Sequence, residues 1–530
     1  MVADLVLRDA AVYTGRGFQS GAVAVEAGRI VQVGALERMR HLLGARTQTI
    51  DCRGGLLSPG FIDAHVHPIT GGLKLLRCSL YEAANAREAL DAIAAYVRTH
   101  PGEDWVWGGG WSLDWFERGT PPASMLDQVV ADRPVFLYNR DGHGAWLNSE
   151  GLRRAGIDAN TPDPPDGRIE RLADGSPQGT VHEGAMDLVE SLIPPPRERE
   201  WDLAMRAGRD YLLGFGITGW QDADVQPAHD RAYVDAAQRG ELTASVVGAL
   251  WWERHRGLEQ IEELMSRRAV MAPGYRPTAV KLMLDGVAEN YTAAMLDPYL
   301  DGAGNVTTNS GLDFIDPTDL QVIVPRLDRL GFQCHFHAIG DRAVRSALDA
   351  VARARAENGS GGPLHHIAHV QVIDPTDVPR FAELGVAANV QALWACAESQ
   401  MVDLTLPFLG PTQREHQYPF ASLLQSGALV GMGSDWSVST PNVMKQIEVA
   451  VTRRSPDQPG APAFMPEEAL TLDQALTAFT TGSARINQVD DRRGTIAEGM
   501  DADLVVFDRN PFVDEPIGAA EVRYTIAQGR

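Results

Sequence analysis

The stretch "GFIDAHVHP", Gly60 to Pro68, ends an apolar run in two histidines one residue apart. Side chains alternate faces along a strand, so His65 and His67 point the same way. Two imidazoles converging from one strand end are the beginning of a metal site. A solvated strand edge would accept the same pair, so the rest of the chain has to decide.

Seven further apolar runs follow: "GITGWQDA", "LTASVVGALWW", "PTAVKLMLDG", "GFQCHFHAIGD", "LHHIAHVQ", "VAANVQAL" and "ALVGMGSD". Between several of them lie helical patterns such as "DRAVRSALDAVARARAEN" and "DPTDVPRFAEL". Strand alternating with helix points to a parallel α/β architecture. With "FIDAHVH" the runs make eight candidate strands, which predicts a closed (β/α)8 TIM barrel. Phe61 to Asp435 spans about 375 residues, against the roughly 250 usual for such a barrel, so a large insertion is expected. Its place is residues 70–200, where "DWVWGGGWSLDWFERGTPP" and "NTPDPPDGRIERLADGSPQG" read as a loop-rich excursion over one barrel mouth. Residues 1–58 and 485–530 share short β-like pieces and Gly-rich turns. They predict one small β-sandwich domain built from both termini, leaving 59–484 to the barrel.

A formal net charge of -23 opposes nucleic acid and anionic membrane as partners, so a small-molecule substrate is expected. Cys52, Cys78, Cys334 and Cys396 form no C-x-x-C pair, which argues against a disulfide framework or a cysteine zinc site. The first residues read as a strand, not a secretion signal, and no run approaches the roughly 18 apolar residues that span a bilayer. A cytoplasmic location is the expectation.

The candidate strands stop at residues with chemistry. His335 and His337 share a face in "GFQCHFHAIGD", His369 lies in "LHHIAHVQ", and Asp435 ends "ALVGMGSD". In a (β/α)8 barrel such ends converge on one mouth. The resulting nitrogen and oxygen set is one that zinc and similar divalent ions favour. Lys281 stands inside an apolar run, where burial lowers an ammonium's pKa. Carboxylation of its amine by CO2 would give an anionic oxygen ligand able to bridge two metals. The alternative is a lysine that reaches solvent or pairs with Asp285.

"PGFIDAHVHP", "HAIGDRAV", "GSDW" and "GTIAEGMDADLVVFDRNP" together resemble the amidohydrolase superfamily. The resemblance covers nearly the whole chain and is to the amidohydrolase family 3 branch, that of N-substituted formamide deformylases. "GGGW", "RPVFLYNRDGHGAWLNSEGL" and "AGI" resemble that branch's insertion. The resemblance implies His65, His67, Lys281, His337, His369 and Asp435 as metal residues. It further implies one or two divalent ions per subunit, zinc first, and a carboxylated Lys281. His335 is expected behind the ligands or lining the pocket. His366, of opposite parity to His369, is expected to face the helices. His143, in "DGHGAW", matches an insertion histidine expected to reach the substrate. Two departures bear on substrate: Ala368 stands where the family commonly has an acidic residue, and "DGVAENYTAAM" replaces a segment with small and basic residues.

The expected reaction is hydrolysis of an amide-type C–N bond by a metal-activated water. Asp435 moves the proton, and His369, His335 or His143 helps hold the oxyanion. Substrate contacts are expected from His143, His335, Trp252, Trp394 and Trp436, suiting a small apolar or aromatic N-acyl or N-formyl compound, although core or lid packing is the favoured reading for most of the tryptophans. A deaminase, a cyclic-amide hydrolase or an ester or lactone hydrolase would use the same residues. A non-catalytic metal-binding barrel ranks last. A homodimer is the assembly considered.

Overall fold

The structure is a computed structural model that describes residues 2–15, 17–458 and 460–530. All eight candidate strands form. In chain order they are β1 (Phe61–Val66), β2 (Ile217–Val225), β3 (Ser245–Trp251), β4 (Tyr275–Met283), β5 (Gln333–Ala338), β6 (His366–His369), β7 (Ala387–Val390) and β8 (Val430–Met432). Each pairs in parallel with the next, from β1 through to β8. Helices such as Pro317–Arg329 and Asp341–Asn358 cover the outside, as parallel sheets require. This is the expected (β/α)8 barrel.

The seam between β8 and β1 closes through the segment that follows β8. The Ser434 N–H donates to Asp63 Oδ1 at 3.0 Å, and the Asp435 N–H donates to the His65 carbonyl at 2.8 Å. Gly433 permits this approach: a Cβ there would stand 2.6 Å from the His65 nitrogen. The seam thereby lays Asp435 directly over His65.

Strands from both termini form one seven-stranded sheet. Leu504–Phe507 pairs antiparallel with Leu56–Pro59, which runs through Gly60 into β1. Leu5, Leu7, Val23, Val25, Leu57, Leu504 and Val506 share its core, so neither end buries its apolar face without the other.

The insertion differs from expectation. It is not loop-rich but carries its own six-stranded sheet, from Cys78–Ser79 to Pro177–Glu183, with two apolar cores. Its strands are short pieces such as Val135–Asn139 and Gly144–Leu147, lying between turn-forming residues that dominate the local pattern. Trp111 and Trp146 fill its core. Among the described residues no helix is long and apolar enough to cross a membrane. The four cysteines are buried and free.

Candidate metal centre and active site

The ends of β1, β5 and β6 and the segment after β8 bring four histidines around Asp435. His65 Nε2 lies 3.4 Å, and His67 Nε2 3.1 Å, from Asp435 Oδ1. His369 Nδ1 lies 3.9 Å from Asp435 Oδ2. The His337 ring centroid is 4.4 Å from that of His369. Ligand atoms of His65, His369 and Asp435 all fall within 4.8 Å of one another. Asp435 and His369 both have left-handed backbones, at φ 53 and 78. That region disfavours a residue with a Cβ, and such strain gathers at functional sites.

Burial and the nearby Lys281 ammonium bring His65 down to about 3. Burial, with Lys281 or neighbouring imidazoles, also holds His337 and His369 well below the ordinary histidine value. These rings are neutral, the form that binds metal. Burial alone would raise Asp435, but the His65 and His67 imidazoles more than offset it and the carboxylate stays ionised. Asp435 Oδ1 and His369 Nδ1 are buried without a hydrogen bond of good geometry. A buried carboxylate set among the neutral rings of His65, His337 and His369 is costly unless a cation sits between them. The donor set therefore fits a divalent ion with nitrogen and oxygen ligands.

Lys281, on β4, is 2% exposed and has no hydrogen bond or ion pair among the described residues. Both ordinary alternatives are thus removed: it neither reaches solvent nor pairs with Asp285. Asp285 instead accepts from His337 Nδ1 at 3.1 Å and from the backbone N–H groups of Ala294, Ile339 and Gly340. Burial pulls Lys281 down to about 8 against the opposing pull of Asp435 and Asp224.

The insertion delivers His143 to the barrel mouth, its ring centroid 5.6 Å from that of His337. His143 Nδ1 lies 2.9 Å from Glu183 Oε2, and the Thr292 hydroxyl donates to Glu183 Oε1 at 2.8 Å. Burial alone would lower His143, but the Glu183 carboxylate overrides it and holds the ring at about 9, an imidazolium at neutral pH. Trp394 stacks on His369, with centroids 5.4 Å apart and planes at 12°.

Several expectations need correction. His335 cannot touch a substrate: it lies beneath His65 with both ring nitrogens engaged, by His65 and by Gln221. Trp252 and Trp436 are core residues; Trp436 stacks on Tyr211 at 4.9 Å. His366 does not face the helices. It packs against His335 inside the barrel, 4.1 Å between centroids. The parity argument failed because the positive φ of His369 turns its side chain back to the inner face. His365 is the outward residue, bonded to Asp328.

Sequence reasoning missed Asp63, Gln221 and Glu183. Asp63 Oδ1 accepts from the backbone N–H groups of His65 and Ser434. Its parity with His65 and His67 was the available signal. Nothing local marks Gln221 or Glu183, whose partners are remote in the chain.

Comparison with known proteins supplies the context. The family model described as "Amidohydrolase family" matches residues 48–530. A putative amidohydrolase of Bacillus subtilis, YtcJ, is 30% identical over 97% of this chain and 96% of its own. The N-substituted formamide deformylase of Arthrobacter pascens is 28% identical over 96% of this chain and 94% of its own. Among solved structures, an uncharacterised metal-dependent hydrolase of Pyrococcus horikoshii superposes with a TM-score of 0.74 at 21% identity. The match covers 98% of this chain and 99% of that one.

Proposed function

The chain belongs to the amidohydrolase family, and from that premise we propose that it hydrolyses an amide-type C–N bond in a small apolar or aromatic N-acyl or N-formyl compound. The observation that carries the reading is the unsatisfied pair of buried ligand atoms, Asp435 Oδ1 and His369 Nδ1, beside the neutral ring of His65. His65, His67, His337, His369 and Asp435 would hold the metal, zinc by the donor chemistry. Lys281, buried and without a hydrogen bond or ion pair among the described residues, would join them as a carbamate. When bound, the ion supplies a water of lowered pKa and polarises the scissile carbonyl.

The chain's own groups do the rest. Asp435 is ionised and accepts the attacking water's proton, then returns it to the leaving nitrogen. The His143 imidazolium, held by Glu183, faces the site beside His337 and donates to the developing oxyanion. Trp394, stacked on His369, supplies an apolar wall for an acyl or aryl group. The A. pascens relative acts, by its name, on N-substituted formamides, and that chemistry is where a substrate search starts.

The test is Asp435→Asn. An amide oxygen still coordinates but is no base near neutral pH. The variant should keep most of its metal and lose turnover by about 10²–10⁴-fold. Metal content and kcat are measured on one sample against a panel of N-formyl and N-acyl amines. Near-wild-type turnover with metal bound would remove Asp435 from the proton path. Release of ammonia in place of an amine would move the reading to a deaminase.

A further inference from the structure

A metal-binding histidine must present a bare nitrogen, and the hydrogen bond made by its other nitrogen decides which one is bare. His337 has a simple arrangement. Its Nδ1 faces Asp285, a buried carboxylate that also collects three backbone N–H groups and serves as acceptor. His65 is different. Its Nδ1 faces His335 Nε2 at 2.7 Å, and an imidazole nitrogen can either donate or accept. Something further along must decide.

The direction can be traced from main-chain carbonyls, which only accept. Gln333 Nε2 donates to the carbonyls of Leu364, at 2.5 Å, and Ile486, at 2.8 Å. This orients the Gln333 amide with its Oε1 towards Gln221 Nε2, at 3.0 Å. Gln221 Nε2 also donates to Asn487 Oδ1. Gln221 Oε1 is therefore the atom facing His335 Nδ1, at 2.7 Å, and His366 Nε2, at 2.9 Å, and both of those nitrogens carry protons. A second anchor agrees. Asn389 Nδ2 donates to the Ala64 carbonyl at 2.8 Å and lies 3.3 Å from His366 Nδ1, which must accept, again leaving the proton on Nε2.

A neutral imidazole has one proton. With that proton on Nδ1, His335 accepts at Nε2, His65 donates from Nδ1, and His65 Nε2 is bare where it faces Asp435. We propose that this relay, from Gln333 through Gln221 and His335, sets the tautomer and ring orientation of His65, making Gln221 and His335 positioning residues for metal binding. The inference rests on the reading of His65 as a ligand under the proposed function.

The test is Zn2+ affinity of the apo-protein, measured by competition with a chromophoric chelator, so that no substrate is needed. His335→Leu and Gln221→Leu should weaken Zn2+ binding by about 10- to 100-fold, the range seen when partners of metal ligands are lost. His335→Gln should retain most of the affinity, because its amide can accept from His65 and donate to Gln221 in the same direction. His65→Ala is the control on the underlying reading. If it binds Zn2+ as wild type does, His65 is no ligand and both statements fall. If His65→Ala weakens binding while folded His335→Leu does not, the relay alone is overturned. Should the leucine variants not fold, 15N-histidine spectra of the apo wild type decide. His65 protonated at Nδ1 supports the relay, and protonation at Nε2 overturns it.

Discussion

Replacing Glu183 with glutamine keeps the shape of the side chain and removes the charge that holds His143 protonated. His143 is raised from 6.5 to about 9, with burial pulling against the shift and Glu183 producing it. Asp141 and Asp435 also pull it upward, and His337 faces it at 5.6 Å without supplying negative charge. At about 1.36 kcal/mol per unit, the wild-type shift corresponds to about 3 kcal/mol favouring the imidazolium. The sign follows from a folded value above the unfolded one. This stabilisation is fully present below about 6.5 and is lost as pH rises through about 9. In Glu183→Gln the largest upward pull is gone and burial draws the ring down from about 9. A full return to the ordinary 6.5 would drop the protonated fraction at pH 8 from about nine-tenths to about three per cent, roughly 30-fold, an upper bound while Asp141 and Asp435 still pull the ring up. If the imidazolium holds the oxyanion, kcat/KM at pH 8 falls by up to that factor, and the basic limb of the profile moves down from near pH 9. The assay is the profile of both proteins from pH 6 to 10 on one amide substrate, with urea unfolding at pH 6 and pH 9 beside it. Wild type should lose more stability between those two pH values than the variant. A folded Glu183→Gln protein whose basic limb stays near pH 9 would refute the role given to His143.

Three further outcomes are expected. Gly433→Ala places a Cβ 2.6 Å from the His65 backbone nitrogen, so it should destabilise the barrel by about 1–3 kcal/mol and weaken metal binding; an unchanged Tm and Zn2+ affinity would contradict the seam described above. Deleting residues 503–530 removes both C-terminal strands and bares the edge of Leu56–Pro59, so light scattering should show aggregation; a soluble, fully active truncation would count against a shared terminal domain. Reconstituting apo-protein with Zn2+ in bicarbonate-free buffer should load less metal per chain than with bicarbonate, and equal loading would argue against a carbamate on Lys281.

The parts of this molecule legible in its sequence are those governed by local pattern. Eight apolar runs, several of them ending in His, Lys or Asp, are enough to place eight strands, because burial on both faces of a parallel sheet imposes continuous apolar character. The barrel then explains why His65, His67, His337, His369 and Asp435 meet, although the last stands 370 positions after the first. Local pattern fails where one residue leaves its regular geometry. Alternation sends His366 to the helices because it counts residues and cannot see the positive φ of His369 at the strand's last position, whereas the structure packs His366 against His335 inside the barrel. It fails again in the insertion, where strands of two to seven residues are too short to outweigh the glycines, prolines and aspartates around them.

The deepest gap concerns polar partners. A buried glutamine such as Gln221 carries no motif, and its meaning lies in what it touches: His335, Gln333, Asn487 and His366, the nearest of them 112 positions away. Glu183 and His143 are likewise joined only through the sheet that pairs Gly144 with His182. Metal ligands can be recognised by residue type because few side chains bind metal. Their supporting partners cannot, because any buried donor or acceptor will serve if its direction is right. Direction is a property of a hydrogen-bond chain anchored on main-chain carbonyls, so it enters only with the fold. A single Gln221→Leu change, far from any motif, is therefore expected to weaken Zn2+ binding by removing the acceptor that keeps the His335 proton on Nδ1.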